Sequence, residues 1–185
     1  MWGHPATPLG VGTWRVLQWA RQHGCPWNRE TSSAAAQGGH MDVLRWAREH
    51  DCPCDAGNCW SAARGGHLAL QWAREHGCLW DETTCYGAAH NGHLEVLQWA
   101  REHGCPWNAH TCYSAAAGGH LAVLQWAREQ DCPWGTWTCA YAAYGGHLEV
   151  LRWARAHGSP WDKSQCVVTS HQHPETLAWV LQQPE

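Results

Sequence analysis

Apolar positions along this chain recur in two registers, one nested in the other. At short range they follow helical spacing. In His93-Leu94-Glu95-Val96-Leu97-Gln98-Trp99-Ala100-Arg101-Glu102-His103-Gly104, residues Leu94, Leu97, Trp99 and Ala100 recur at near-helical intervals, as in an amphipathic helix. At longer range the whole segment returns. Gly-His stands at Gly39-His40, Gly66-His67, Gly92-His93, Gly119-His120 and Gly146-His147, at steps of 27, 26, 27 and 27 residues. Ahead of each lies an alanine pair: Ala35-Ala36, Ala62-Ala63, Ala88-Ala89, Ala115-Ala116 and Ala142-Ala143. Alanine is the best helix former, and its small side chain lets neighbouring helices approach closely. Each unit therefore reads as two helices. Asn108 is placed to cap a first helix that runs through Ala115-Ala116 to the turn at Gly118-Gly119. Gly104 sits where a left-handed cap ends the second helix, and Pro106 follows it.

One such unit cannot bury its apolar face alone, whereas stacked neighbours bury a continuous core. The expected fold class is all-α, an α-solenoid of helix–turn–helix units in a single domain, 1–185. A partial repeat occupies 1–27, with its second helix over Thr13 to His23. Full repeats follow at 28–54, 55–80, 81–107, 108–134 and 135–161, and a capping repeat closes the chain at 162–185. The segment Ala6-Thr7-Pro8-Leu9 is too close to Gly12 for a full first helix, which points to an incomplete leading repeat. Repeat 55–80 is one residue short, and the gap falls at His67-Leu68-Ala69-Leu70, so its second helix is expected to start late or to be locally misphased.

The 16 tryptophans and the absence of phenylalanine follow if one Trp-bearing unit was copied many times. The net charge of −4 gives no basic footprint for nucleic acid. No apolar run is long enough to span a membrane, and the N-terminus lacks a signal-peptide pattern. The 11 cysteines are odd in number and recur at repeat positions, unlike a secreted disulfide framework. These features point to a cytoplasmic protein, and a monomer is expected.

The units resemble the ankyrin repeat. Ala-Ala, two residues and Gly-His match that family's first helix and turn, and His-Leu-Glu-Val-Leu-Gln-Trp matches its second helix. His-Gly-Cys-Pro-Trp-Asn resembles its loop, with Trp107 at a buried aliphatic position. The usual Thr-Pro-Leu-His opening is replaced by variants such as Thr111-Cys112-Tyr113-Ser114. The family period is about 33 residues. The residues missing here fall between Asn108 and Thr111, where the hairpin finger forms, so little or no β-hairpin is expected. The Trp-Ala-Arg-Glu-His-Gly-Cys-Pro-Trp variant resembles the short repeats of giant amoebal viruses, pandoravirus-type. That resemblance implies a viral protein acting in host cytoplasm, although no F-box segment is visible.

Variation among copies marks a candidate binding surface. Within each unit the third position reads Glu30, Gly57, Thr83, His110, Trp137; the sixth Ser33, Trp60, Tyr86, Tyr113, Ala140; the tenth Gln37, Arg64, His90, Ala117, Tyr144. Offsets of three, four and seven place these on one stripe of the first helix. By resemblance to ankyrin arrays that stripe lines the concave side and binds a partner protein. With Tyr141, all four tyrosines of the chain lie in these first helices, and Tyr, Trp and Arg are enriched at interface hot spots. Solvated drift would favour charge over aromatic residues.

The alternative reading is a zinc-binding repeat protein using His50, Cys52, Cys54 and Cys59, since thiolates and imidazole within ten residues can hold zinc. Against it, His50, Cys52 and Cys59 recur as His76, Cys78, Cys85 and as His103, Cys105, Cys112, leaving Cys54 alone as new. A buried cysteine at a helix junction can equally be a small hydrophobe. A disulfide joining Cys105 to Cys112 would require close Cα atoms and an oxidising compartment. The Gly-His histidines suit turn-fixing hydrogen bonds. His23, His50, His76, His103 and His157 suit the negative ends of their helices. The arginine row (Arg21, Arg48, Arg74, Arg101, Arg128, Arg155) is followed by Glu49, Glu75, Glu102 and Glu129, which predicts a solvated ion-pair face. No Ser/His/Asp set, phosphate-cradling glycine loop or carboxylate pair breaks the repeat, so neither an enzyme nor a cofactor is expected.

Overall fold

The computed structural model describes residues 19, 21–24, 29–66 and 69–184. They form helices and loops, with no strand among them. The expected leading helix over Thr13 to His23 lies largely outside the described residues, and Trp27 and the His67-Leu68 helix start lie wholly outside them. Two compact units are present, Met1–Trp80 and Asp81–Glu185. The first contains α1 (Arg29–Gln37), α2 (Met41–Glu49), α3 (Ala56–Gly65) and α4 (Ala69–Glu75). The second contains α5 (Glu82–His90), α6 (Leu94–Glu102), α7 (Ala109–Ala117), α8 (Leu121–Glu129), α9 (Thr136–Tyr144), α10 (Leu148–Ala156), α11 (Lys163–Thr169) and α12 (Pro174–Gln182).

The odd-numbered helices are the first helices of the repeats. In each unit they pack side by side, α1 on α3 and α5 on α7 on α9 on α11, and each also packs on the second helix that follows it. The alanine pairs permit this: Ala88, Ala89, Ala115, Ala116, Ala142 and Ala143 are all fully buried. Leu97, Leu124 and Leu151, at the same position of successive second helices, fill the space beneath them, and Leu70 does so in the first unit.

The first helices α3, α5 and α7 are each capped by a side chain at their start. Asp55, Asp81 and Asn108 accept from the backbone N–H groups of Gly57, Thr83 and His110 at 2.9–3.0 Å. The second helices α2, α4, α6 and α10 end on the packed rings of their own Trp and His. The imidazole of His103 lies 4.3 Å from the Trp99 ring, and its Nδ1 donates to the Trp99 carbonyl at 2.8 Å. His23, His50, His76 and His157 repeat this contact. The same carbonyl also accepts the backbone N–H of that histidine, so the ring adds a second bond at the helix end.

Two Gly-His histidines, and His173 at the corresponding position of the last repeat, clasp successive repeats together in the second unit. Nε2 of His120 donates to the carbonyl of His90, Nε2 of His147 to Ala117, and Nε2 of His173 to Tyr144, at 2.9–3.1 Å. Each imidazole covers a glycine of the preceding turn. At Gly119, φ is +76° and an added Cβ would stand 2.5 Å from Nδ1 of His147, so both backbone conformation and space demand glycine.

The arginine row departs from the expected ion-pair face. The guanidinium groups of Arg74, Arg101, Arg128 and Arg155 lie 4.1–4.4 Å from the ring centroids of Trp80, Trp107, Trp134 and Trp161. Arg74, Arg101 and Arg128 also donate to the carbonyls of Cys78, Cys105 and Cys132. A guanidinium is weakly hydrated and stacks well on indole, and here that contact holds the row in place. Trp107 is half-buried rather than buried, because its ring lies between Arg101 and the edge of Trp126, 5.8 Å away.

Candidate functional site

The first helices of the second unit carry a run of rings in contact. Tyr86 of α5 lies 6.5 Å from His110 of α7, and His110 lies 5.5 Å from Tyr113 one turn along the same helix. Tyr113 reaches Tyr141 of α9 at 6.2 Å, and Tyr141 packs 5.8 Å from Trp137. Three helices therefore contribute to one aromatic ladder. These centroid distances fall in the 4.5–7 Å range in which aromatic pairs attract.

The ladder is anchored at its middle and open at one end. Tyr86 and Tyr113 are half-buried, while Trp137 and Tyr144 are 47% and 64% exposed. Such exposure is large for bulky apolar side chains gathered on one helix. The Tyr113 hydroxyl rests against the start of α9, where a Cβ on Gly135 would come within 2.9 Å of it. Burial, and then Cys112, raises the Tyr113 pKa, so its phenol remains a hydrogen-bond donor at neutral pH. In α9 the aromatic residue moves one position along. Ala140, at the position of Tyr113, is buried, and Tyr141 supplies the ring. His90 and His110 are exposed.

In the first unit the stripe is less aromatic. Glu30 and Gln37 are exposed on α1, and Ser33 is half-buried beside the start of α3 near Gly57. On α3 the Arg64 guanidinium lies 5.2 Å from the Trp60 ring centroid.

The zinc candidates do not converge. His50 is engaged with the ring and carbonyl of Trp46, Cys52 and Cys59 are buried, and Cys54 is bonded to Cys78 with Cα atoms 5.3 Å apart. No group of three His, Cys, Asp or Glu side chains suited to a metal occurs among the described residues. Cys105 and Cys112 do not form a disulfide either. Both are free, buried thiols, and each faces a cysteine of its own helix pair: Cys105 faces Cys85, and Cys112 faces Cys132. The thiol hydrogen bond and burial hold Cys85 and Cys112 protonated, and burial pushes Cys166 up to about 12. These cysteines serve as small core residues. Sulfur of Cys105 and Cys132 also donates to the carbonyls of Asp81 and Asn108, a place taken by the Ser159 hydroxyl in the next repeat.

On the second-helix side, Gln98, Arg101, Glu102, Trp107, Trp126 and Gln130 border an open cleft of about 420 Å³. Its indoles and guanidinium are engaged with one another.

No family model matches the chain, and no curated protein matches its sequence. Its fold is similar to that in the crystal structure of the human ASB11 ankyrin repeat domain, with a TM-score of 0.60 and 12% sequence identity. The match covers 81% of each chain. The chain therefore has an ankyrin-like repeat fold, here as helix pairs with no hairpin strand among the described residues.

Proposed function

We propose that the chain is a non-enzymatic scaffold that holds a partner protein against the exposed face of its first helices. The observation that carries this reading is the aromatic ladder from Tyr86 to Trp137, with Tyr144 exposed at its open end. Rigid rings on packed helices lose little conformational entropy when covered, and Tyr and Trp dominate interface hot spots. The ankyrin-like fold agrees with a protein-binding role. His90 and His110 flank the ladder, and Glu30, Ser33, Gln37, Trp60 and Arg64 hold the corresponding positions on the first helices of the first unit. On this reading 1–185 is one array of repeats that acts as a cytoplasmic monomer. The short viral-type repeat makes a host-cell protein the first partner to seek.

The test compares proteins captured from host-cell lysate by the unaltered chain and by the double variant Trp60→Ala, Tyr113→Ala, with circular dichroism on both. Specific capture lost at unchanged helicity supports the reading. Undiminished capture by the variant overturns it.

A further inference from the structure

We propose that Cys54 is a reversible thiol-modification site, with Cys78 as its resolving partner and low-molecular-weight disulfides such as oxidised glutathione as its reagents. Cys54 stands in the loop position that elsewhere holds an indole. In the second unit that indole packs on a tryptophan of the following repeat, as Trp107 does on Trp126 and Trp134 on Trp153. Cys54 makes the corresponding link covalently, through its bond to Cys78. The bond closes a ring of chain that contains α3 and α4.

Exposure sets the direction of the chemistry. Among the described cysteines Cys54 alone is not buried, whereas Cys78 is fully buried. A small reagent therefore meets Cys54 first. In oxidation, the Cys54 thiolate attacks oxidised glutathione and expels one glutathione thiolate, leaving a mixed disulfide on Cys54. The Cys78 thiol then loses its proton and attacks the Cys54 sulfur. The second glutathione leaves with the electron pair of the broken S–S bond, and the two thiolates released take up the two cysteine protons. In reduction, an incoming thiolate attacks Cys54 and the bond pair leaves on Cys78, which is then protonated; a second thiolate attacks the added sulfur of the mixed disulfide and releases Cys54 as its thiolate. Such exchange depends on thiolate character and access. The other described cysteines are all buried, Cys52 and Cys59 in the first unit and the rest in the second, and so are shielded from such a reagent. The proposal is independent of any binding role for Trp60 or Arg64.

The test uses the full chain equilibrated with oxidised glutathione, alkylated and digested with trypsin. Peptides 49–64 and 75–101 each hold more than one cysteine, so fragmentation must place the link. A Cys54–Cys78 link is expected; alkylation at both residues, or a link through Cys52 or Cys59, overturns the proposal. Cys78→Ser is expected to accumulate a glutathione adduct on Cys54, while Cys54→Ser leaves Cys78 unmodified. An adduct on Cys78 in Cys54→Ser, or none on Cys54 in Cys78→Ser, overturns the assigned order. The oxidised chain is expected to melt about 5 °C above the reduced chain. Cys54→Trp, which restores the indole, should melt alike under both conditions. Equal melting of the unaltered chain in both states overturns the staple.

Discussion

The second unit carries two aromatic rows of opposite use. On the second-helix side, Trp107, Trp134 and Trp161 are each covered by an arginine and meet Trp126, Trp153 and Trp179 edge-on. On the first-helix side, Tyr86, His110, Tyr113, Tyr141 and Trp137 contact one another, and at α9 their rings turn outward. The first row spends its π faces on holding repeats together, whereas the second keeps surface in reserve. Aromatic content alone does not separate packing from recognition. The distinction is whether a ring already has a cation and a neighbouring repeat against it.

The comparison breaks most visibly if the packed row is cut. Trp134→Ala removes the seat of Arg128 and the contact to Trp153, and a loss of about 2–3 kcal/mol is expected in urea unfolding. A loss below about 0.5 kcal/mol would place both rows in the same class. Gly119→Ala tests the histidine clasp that keeps the first helices in register. Left-handed backbone and the His147 ring together should cost about 2 kcal/mol. Gly104→Asp is the contrast: nothing lies near a Cβ there, and Asp131 adopts φ +59° at the matching place one repeat on. Its cost should stay below about 1 kcal/mol by the same unfolding measurement.

The clasp also predicts a pH effect. Burial lowers the His120 pKa below its ordinary value of 6.5, the bond to the His90 carbonyl opposes this, and His147, His90 and His93 lower it further. The unfolded state then binds more protons, so this contribution is complete above pH 6.5 and declines as pH falls below it. Unfolding between pH 7.5 and 5.5 should show that decline, and His120→Gln should flatten it. The smallest expected effect is Trp137→Ala, which should change stability by no more than about 0.5 kcal/mol while weakening partner capture. A larger loss of stability would move Trp137 into the packed row.

Much of this was legible in the chain itself. Spacing of Leu94, Leu97, Trp99 and Ala100, the alanine pairs, the capping Asn108 and the glycine at 104 specify the helices, because capping and helical periodicity are local properties. Copying of one unit implies that helices pack on copies of themselves, so the all-α stack and the buried alanines follow as well. Comparing copies also singled out Tyr86, Tyr113 and Trp137 as variable within a fixed frame.

Tertiary structure decided which side chains answer one another, within a helix pair and between repeats. Arg101 precedes Glu102 in sequence, yet its guanidinium lies over Trp107, because turning back from the helix end brings the indole under it. Cys54 sits among His50, Cys52 and Cys59 in sequence, yet its partner is Cys78, 24 residues on, because stacking sets the ends of neighbouring second helices side by side. Cys105 and Cys112, near in sequence, face Cys85 and Cys132 instead. A repeat gives every copy the same local chemistry. Which copy's group meets which depends on the rise and turn between units, and those are set by packing rather than by spacing along the chain.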